Sequence, residues 1–296
     1  MIMKIRIQFL VLAVSLASLP GILQAQPSAH YVPGAEGIKG ASLPPPGFYI
    51  RDYNYFYWAD QLNNSSGNKE MGINAFVYAN IPRFIWITDT KFLGGYVGVD
   101  GFLPVVYQHL AAGGYDNSTF GIDDLYGAGS LSWHTKQFDF AIASGVYAPT
   151  GDSPTRPPPA LSTRIGLGYW TFMQTAAATW YIDPEKTWAV SAVNRYEFNT
   201  EQRDTHITPG QTYSLDWGVS KTVAKVVDLG AAGYYQQQVT GSSTKAPLSR
   251  VAAVGPEVVV TFPDQMLFVS LRYNYEFMAD SRMQGNAVTL TLTKRF

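Results

Sequence analysis

From Phe48 to the C-terminus the chain alternates apolar and polar residues with a period of two, the repeat of a strand whose two faces meet different surroundings. The clearest stretch is 266–277. Leu267, Val269, Leu271, Tyr273, Tyr275 and Phe277 share one face, and Ser270, Arg272, Asn274 and Glu276 share the other. The last segment repeats the pattern, with Val288, Leu290, Leu292 and Phe296 against Thr289, Thr291, Thr293 and Arg295. Between Trp188 and Phe198 the same alternation sets Trp188, Val190, Ala192, Tyr196 and Phe198 against Ser191, Arg195 and Glu197. Read this way, the chain contains about twelve strands, an even number, and no window with a helical stripe.

The connections alternate as well. Polar stretches at 59–69, 110–121, 149–169, 200–210, 241–248 and 278–285 are long, whereas 89–91, 136–137, 183–186, 223–226 and 263–265 are brief. An antiparallel barrel in an outer membrane has short periplasmic turns and longer external loops, whereas a soluble sandwich or lipocalin-like barrel, the competing all-β reading, has no reason to sort loops by parity. The predicted fold is therefore all-β: a transmembrane antiparallel β-barrel of about twelve strands over residues 48–296. Most segments have roughly the 9 to 11 residues that a tilted strand needs to cross hydrocarbon, where closure of the sheet leaves no unpaired backbone edge. Aromatic girdles are expected from Trp133, Phe138 and Trp188 on the short-turn side and from Tyr57, Trp58, Tyr107, Tyr196, Phe198, Tyr275 and Phe277 on the other.

Composition sharpens this picture. Only 15 % of the residues are charged and 14 % are aromatic, while a mean hydropathy of −0.05 is too low for a bundle of membrane helices. One apolar run stands at the N-terminus, where Lys4 and Arg6 precede 9–19 and small Ala25 follows; residues 1–25 read as a signal peptide, with a membrane anchor as the alternative. Residues 26–47 are rich in Gly and Pro, which forbids a regular element, and form either a partial plug folded back into the lumen or a free periplasmic leader. The absence of cysteine removes disulfides and thiolate chemistry, and a net charge of −1 offers no footprint for nucleic acid.

Opposite the lipid-facing set, the lumen collects Asp52, Asp100, Asp139, Arg195, Glu197, Asp216, Glu257, Arg272 and Glu276. This acidic excess is either a pore lining that prefers cations or a hydrogen-bonded network filling a narrow barrel. Pro82 interrupts the alternation, so Arg83 has no assignable face. Chemistry beyond transport is thin. The histidines at 30, 109, 134 and 206 have no metal-ligand spacing, so no metal or other cofactor is expected. Ser132 and His134 share a strand face, but two residues of strand separate them by about 6.5 Å, which weakens a hydrolase reading. Neighbouring Asp123 and Asp124 point to opposite faces and cannot act as a dyad.

A series of landmarks carries a resemblance. These are Gly121-Ile122-Asp123-Asp124-Leu125, Leu131-Ser132-Trp133, Ala148-Pro149-Thr150-Gly151-Asp152 and Ala178-Thr179-Trp180-Tyr181, then Tyr196-Glu197-Phe198-Asn199, Pro209-Gly210, Gly233-Tyr234-Tyr235-Gln236 and Gly255-Pro256. In order and spacing the series resembles the outer-membrane proteins of the meta-pathway of phenol degradation. Within that group, the leader from His30-Tyr31-Val32-Pro33-Gly34 to Leu43-Pro44-Pro45-Pro46-Gly47 is similar to that of the sphingosine-induced porins. The resemblance implies a non-catalytic barrel for passive uptake of small hydrophobic or aromatic compounds in the bacterial outer membrane; the alternative is a closed binding or structural barrel without flux. The partners expected are outer-membrane lipid and lipopolysaccharide, the barrel assembly machinery through Phe296, and a small-molecule ligand.

Overall fold

The computed structural model describes residues 29–151 and 163–296; the proposed signal peptide and the Arg156-Pro157-Pro158-Pro159 run lie outside them. Among the described residues fourteen strands form: β1 (Gly47–Asn63), β2 (Lys69–Phe92), β3 (Gly95–Phe102), β4 (Val105–Ala112), β5 (Tyr115–Ile122), β6 (Leu125–His134) and β7 (Phe138–Ala148). They continue with β8 (Thr171–Tyr181), β9 (Trp188–Asn199), β10 (Thr212–Ala224), β11 (Val227–Gln238), β12 (Arg250–Phe262), β13 (Leu267–Asp280) and β14 (Met283–Arg295). All neighbours are antiparallel, and β1 pairs with both β14 and β2, which closes the sheet into a barrel.

The fourteen strands make twelve passes. β3 and β4 are one pass broken at Leu103-Pro104, and β5 and β6 are one pass broken at Asp123-Asp124. Proline has no N–H to give a ladder, so the break falls where the sequence removes a donor. Asp123 N still donates to Pro104 O across it at 2.9 Å. The long β2 spans both pieces, pairing with β4 over Asn74–Asn80 and with β3 over Arg83–Phe92. On the external side the strands run further than the alternation predicts. Residues 64–68, 113–114 and 281–282 are consequently tight turns, and loop length is concentrated in 149–170, 200–211 and 239–249.

Alternation divides the wall as lipid requires. Phe172, Trp180, Trp188, Phe198, Leu271, Tyr275 and Phe277 are exposed on the outside, while Ser191, Arg195, Glu197, Thr289 and Thr291 are buried inside. Tyr57, expected in a girdle, turns inward and donates to Glu276 at 3.0 Å.

Strand β1 reverses another expectation. Tyr49, Arg51 and Tyr53 face the lumen, which puts Asp52 on the outer face. There its carboxylate accepts from Asn54 at 2.9 Å and Asn80 at 2.8 Å, and Tyr78 OH donates to Asn54 Oδ1 at 2.9 Å. Phe48 and Trp58 are exposed on the same face below and above this cluster. A local network thus satisfies the half-buried carboxylate on the outer face, as a polar group placed against hydrocarbon requires.

Candidate functional site: the lumen and its leader

Residues 29–46 lie inside the barrel, their backbone bonded mainly to β9, β10, β12 and β13 while the His30 and Glu36 side chains reach β1, β2, β7 and β8. Because Gly and Pro prevent a regular element, the leader has no ladder of its own, and its backbone groups find partners on the barrel side chains. Tyr31 N donates to Glu197 at 3.0 Å, Gly34 N to Asp216 at 2.9 Å and Ile38 N to Glu257 at 2.7 Å. Arg272 donates to the carbonyls of Gly34 and Ala35 at 2.6 and 3.0 Å, and pairs with Glu257 at 3.3 Å. Tyr31 OH donates to Asp216, while the Arg195 guanidinium stacks 4.1 Å from the Tyr31 ring centre. The wall's acidic residues therefore act as acceptors for the leader.

Both ends of the leader are anchored too. His30 bridges Thr171 through Nδ1 at 2.7 Å and Asp124 through Nε2 at 2.9 Å, and stacks on Tyr147 with ring centres 4.8 Å apart. Burial lowers the His30 pKa below its usual 6.5 against the opposing pull of Asp124, so the docked imidazole is neutral at pH 7. Asp124 also accepts from Gly151 N and Leu167 N, joining the leader to the ends of the 149–170 loop. Toward the periplasm, Lys39 reaches Asp228 at 2.9 Å, and Ser42 and Tyr181 share a 2.9 Å hydrogen bond.

Glu36 sits at the centre of the lumen. Its carboxylate lies 3.1 Å from Arg51, 3.0 Å from Arg83 and 3.6 Å from Arg195, and accepts from Tyr53 OH at 3.2 Å. Burial alone would raise its pKa, but Arg51, Arg83, Arg195 and Arg272 together outweigh burial and bring it down to about 2. Arg83 also pairs with Asp100 at 2.8 Å, and Arg195 with Asp216 at 3.3 Å.

Beside the leader, whose Tyr31, Ala35 and Glu36 help to line it, a cavity of about 280 Å³ is walled by β1 to β4 and β6 to β9. Tyr55, Val77, Ile81, Phe102, Tyr126 and Met173 form much of its wall, with Glu36, Arg51, Arg83 and Arg195 along one side.

Of the nine charged residues read as luminal, eight face inward and Asp52 does not. Among those eight, Asp100 and Arg195 line the cavity. Glu197, Asp216, Glu257 and Arg272 hold the leader. Glu276 takes Tyr57 and Tyr234, and Asp139 takes His134 and Tyr181. Arg51 and Arg83 were not on that list, although they line the cavity. A proline and a strand with tyrosines on one face and mixed residues on the other hid their parity. Ser132 Oγ is buried without a hydrogen bond, so nothing couples it to His134, whose Nδ1 lies 3.1 Å from Asp139. Among the described residues no group of three His, Asp or Glu gathers in a metal-binding arrangement.

The family model described as "Putative MetA-pathway of phenol degradation" matches residues 59–292. No curated protein sequence matches the chain. Among solved structures, an outer membrane channel from Pseudomonas putida F1 superposes with a TM-score of 0.75 at 14% identity, over 90% of this chain and 100% of that one. The β domain of the Bordetella autotransporter BrkA gives 0.53 at 12% identity over 86% and 100%. The translocator domain of NalP from Neisseria meningitidis gives 0.52 at 11% identity over 87% and 91%. At these identities the likeness is one of fold, that of closed outer-membrane barrels.

Proposed function

The chain belongs to the family named for the MetA-pathway of phenol degradation, and from that premise we propose that it is a passive outer-membrane channel for small hydrophobic or aromatic compounds, not an enzyme. The observation that carries this reading is the cavity beside the leader, which pairs an apolar and aromatic wall with a polar rim, the usual make-up of a small-molecule site. Its volume of about 280 Å³ suits a single-ring compound rather than an oligosaccharide or peptide. The leader narrows the remaining lumen as a plug held by hydrogen bonds. Movement through such a barrel follows gradients. The similar barrel from Pseudomonas putida F1 is itself named a channel, which agrees with this reading. We assign the outer face to lipid and lipopolysaccharide, and Phe296, at the end of the last strand, to recognition by the assembly machinery.

The test is flux of radiolabelled phenol into proteoliposomes, with single-channel conductance in planar bilayers, for the mature chain and for a chain lacking residues 26–47. Saturable phenol entry, with conductance that rises on deletion, is the expected result. Silence of both chains in both assays would refute it in favour of a closed binding barrel, the reading that the leader's dense anchoring supports.

A further inference from the structure

Arg51 and Arg83 stand directly opposite one another in the β1–β2 register. Like charges at such a position destabilise a sheet, because their side chains leave the same face a few ångströms apart. A sequence that violates a local rule inside its functional cavity marks a place where something other than stability is served. In this structure Arg83 has a wall partner in Asp100 at 2.8 Å, but the carboxylate that bridges both arginines is Glu36, a residue of the leader and not of the wall. Tyr53 adds a hydroxyl to the same carboxylate, and Arg195 approaches it from across the lumen. The barrel thus presents two guanidiniums and a phenol arranged to receive one carboxylate, with a third guanidinium behind it.

These groups are not sealed. The Arg51 and Arg83 side chains are 24% and 18% exposed, and the surface they keep faces the cavity. The apolar wall begins beside them, at Tyr55, Val77, Ile81 and Phe102. The site combines a cationic end with an aromatic slot.

We propose that Arg51, Arg83 and Tyr53 form a binding site for a small carboxylate borne on an aromatic or apolar body, and that Glu36 occupies it as a tethered stand-in for that ligand. This rests on the reading of the cavity as the passage for small compounds, and it names their class more narrowly: organic anions as well as neutral molecules. Exchange of one carboxylate for another leaves the count of charges around the arginines unchanged, so entry of the ligand does not require an arginine to stand unpaired in a low-dielectric lumen. The Glu36 side chain swings out as the ligand swings in, while the contacts of Asp216 and Glu257 keep the leader in the barrel. A tethered competitor at high effective concentration weakens the apparent affinity of the free ligand.

The experiment is calorimetric titration of the refolded mature protein in detergent with benzoate and, in parallel, with its neutral analogue benzyl alcohol. The wild type is compared with Glu36→Gln and Arg83→Gln, each first checked for a heat-modifiable folded barrel. Removing the competitor is expected to raise the ratio of benzoate to benzyl alcohol affinity by at least about tenfold in Glu36→Gln, and Arg83→Gln is expected to lower it by a similar factor. An unchanged ratio in Glu36→Gln, or absence of benzoate binding in both it and the wild type, overturns the proposal. If Glu36→Gln does not fold, Arg51→Gln decides: loss of the benzoate preference supports the site, and its retention overturns it. The phenol flux assay is independent of all these variants, so failure of the carboxylate site leaves the channel reading standing, and failure of flux is seen separately.

Discussion

Gly34 offers a direct test of how firmly the leader is seated. Its φ of +78° lies in the left-handed region, and a Cβ built on it would stand 2.5 Å from Tyr234 Cδ1, 2.8 Å from Cε1 and 3.3 Å from Asn274 Nδ2. Tyr234 cannot easily retreat, being 2% exposed with its hydroxyl donating to Glu276 at 2.8 Å. Gly34→Ala therefore adds left-handed strain of about 1–2 kcal/mol to an overpacking cost of about 1–3 kcal/mol. A total of about 3 kcal/mol raises the undocked share of the leader roughly a hundredfold, since each 1.4 kcal/mol is a factor of ten. The barrel wall keeps its own ladder and stays folded. Lys39 reports the change, because its ammonium is bonded to Asp228 and Thr222 inside the lumen when the leader is docked. Limited trypsin digestion, read by mass spectrometry for a new N-terminus at Gly40, should proceed about a hundredfold faster in Gly34→Ala while cleavage tracks the open population. Gly241→Ala is the control, as nothing lies within 4 Å of its Cβ position. Equal cleavage of Gly34→Ala and the control would refute the account of the leader as a docked element closely fitted to Tyr234.

Acid should loosen the leader from its outer end first. The lowered pKa of His30 means that its contribution to docking is complete above pH 6.5 and is lost as pH falls through the docked value, whereas Glu36 keeps its full contribution down to about pH 4.5 and loses it between there and about 2. A spin label on Ala29→Cys, the sole thiol in a chain without cysteine, should gain mobility between pH 7 and 5 while a label at the exposed Pro45→Cys does not; equal response of the two sites would contradict the assignment. On the outer wall, Asp52→Leu deprives the Asn54 amide of its acceptor and leaves the Asn80 amide only its longer bond to Asn54 at 3.3 Å, and should lower barrel stability by about 1–3 kcal/mol in urea titrations from lipid vesicles. A more stable Asp52→Leu barrel would show that the amide hydrogen bonds do not offset the cost of holding the carboxylate against hydrocarbon.

Closure, pass number and facing were legible in the sequence wherever each face of a strand is chemically uniform. The threonines and leucines of β14 and the Arg272-Asn274-Glu276 row of β13 are such cases, because a period of two is a local property that needs no knowledge of neighbours. Legibility failed in β1, where tyrosines on the inner face look as apolar as the outer one, and Asp52 and Arg51 exchanged places. It failed also at Pro82, beyond which Arg83 belongs to the lumen. The partners of the leader were beyond reach for a different reason. Gly34 and Asp216, or Ile38 and Glu257, are separated by 182 and 219 positions, and no periodicity links them. What the sequence determined by itself was a barrel with a polar inside and a segment unable to form a strand of its own. Tertiary structure alone decided where that segment lies, because unpaired backbone groups bond to whichever carboxylates and guanidiniums closure of the wall brings within about 3 Å.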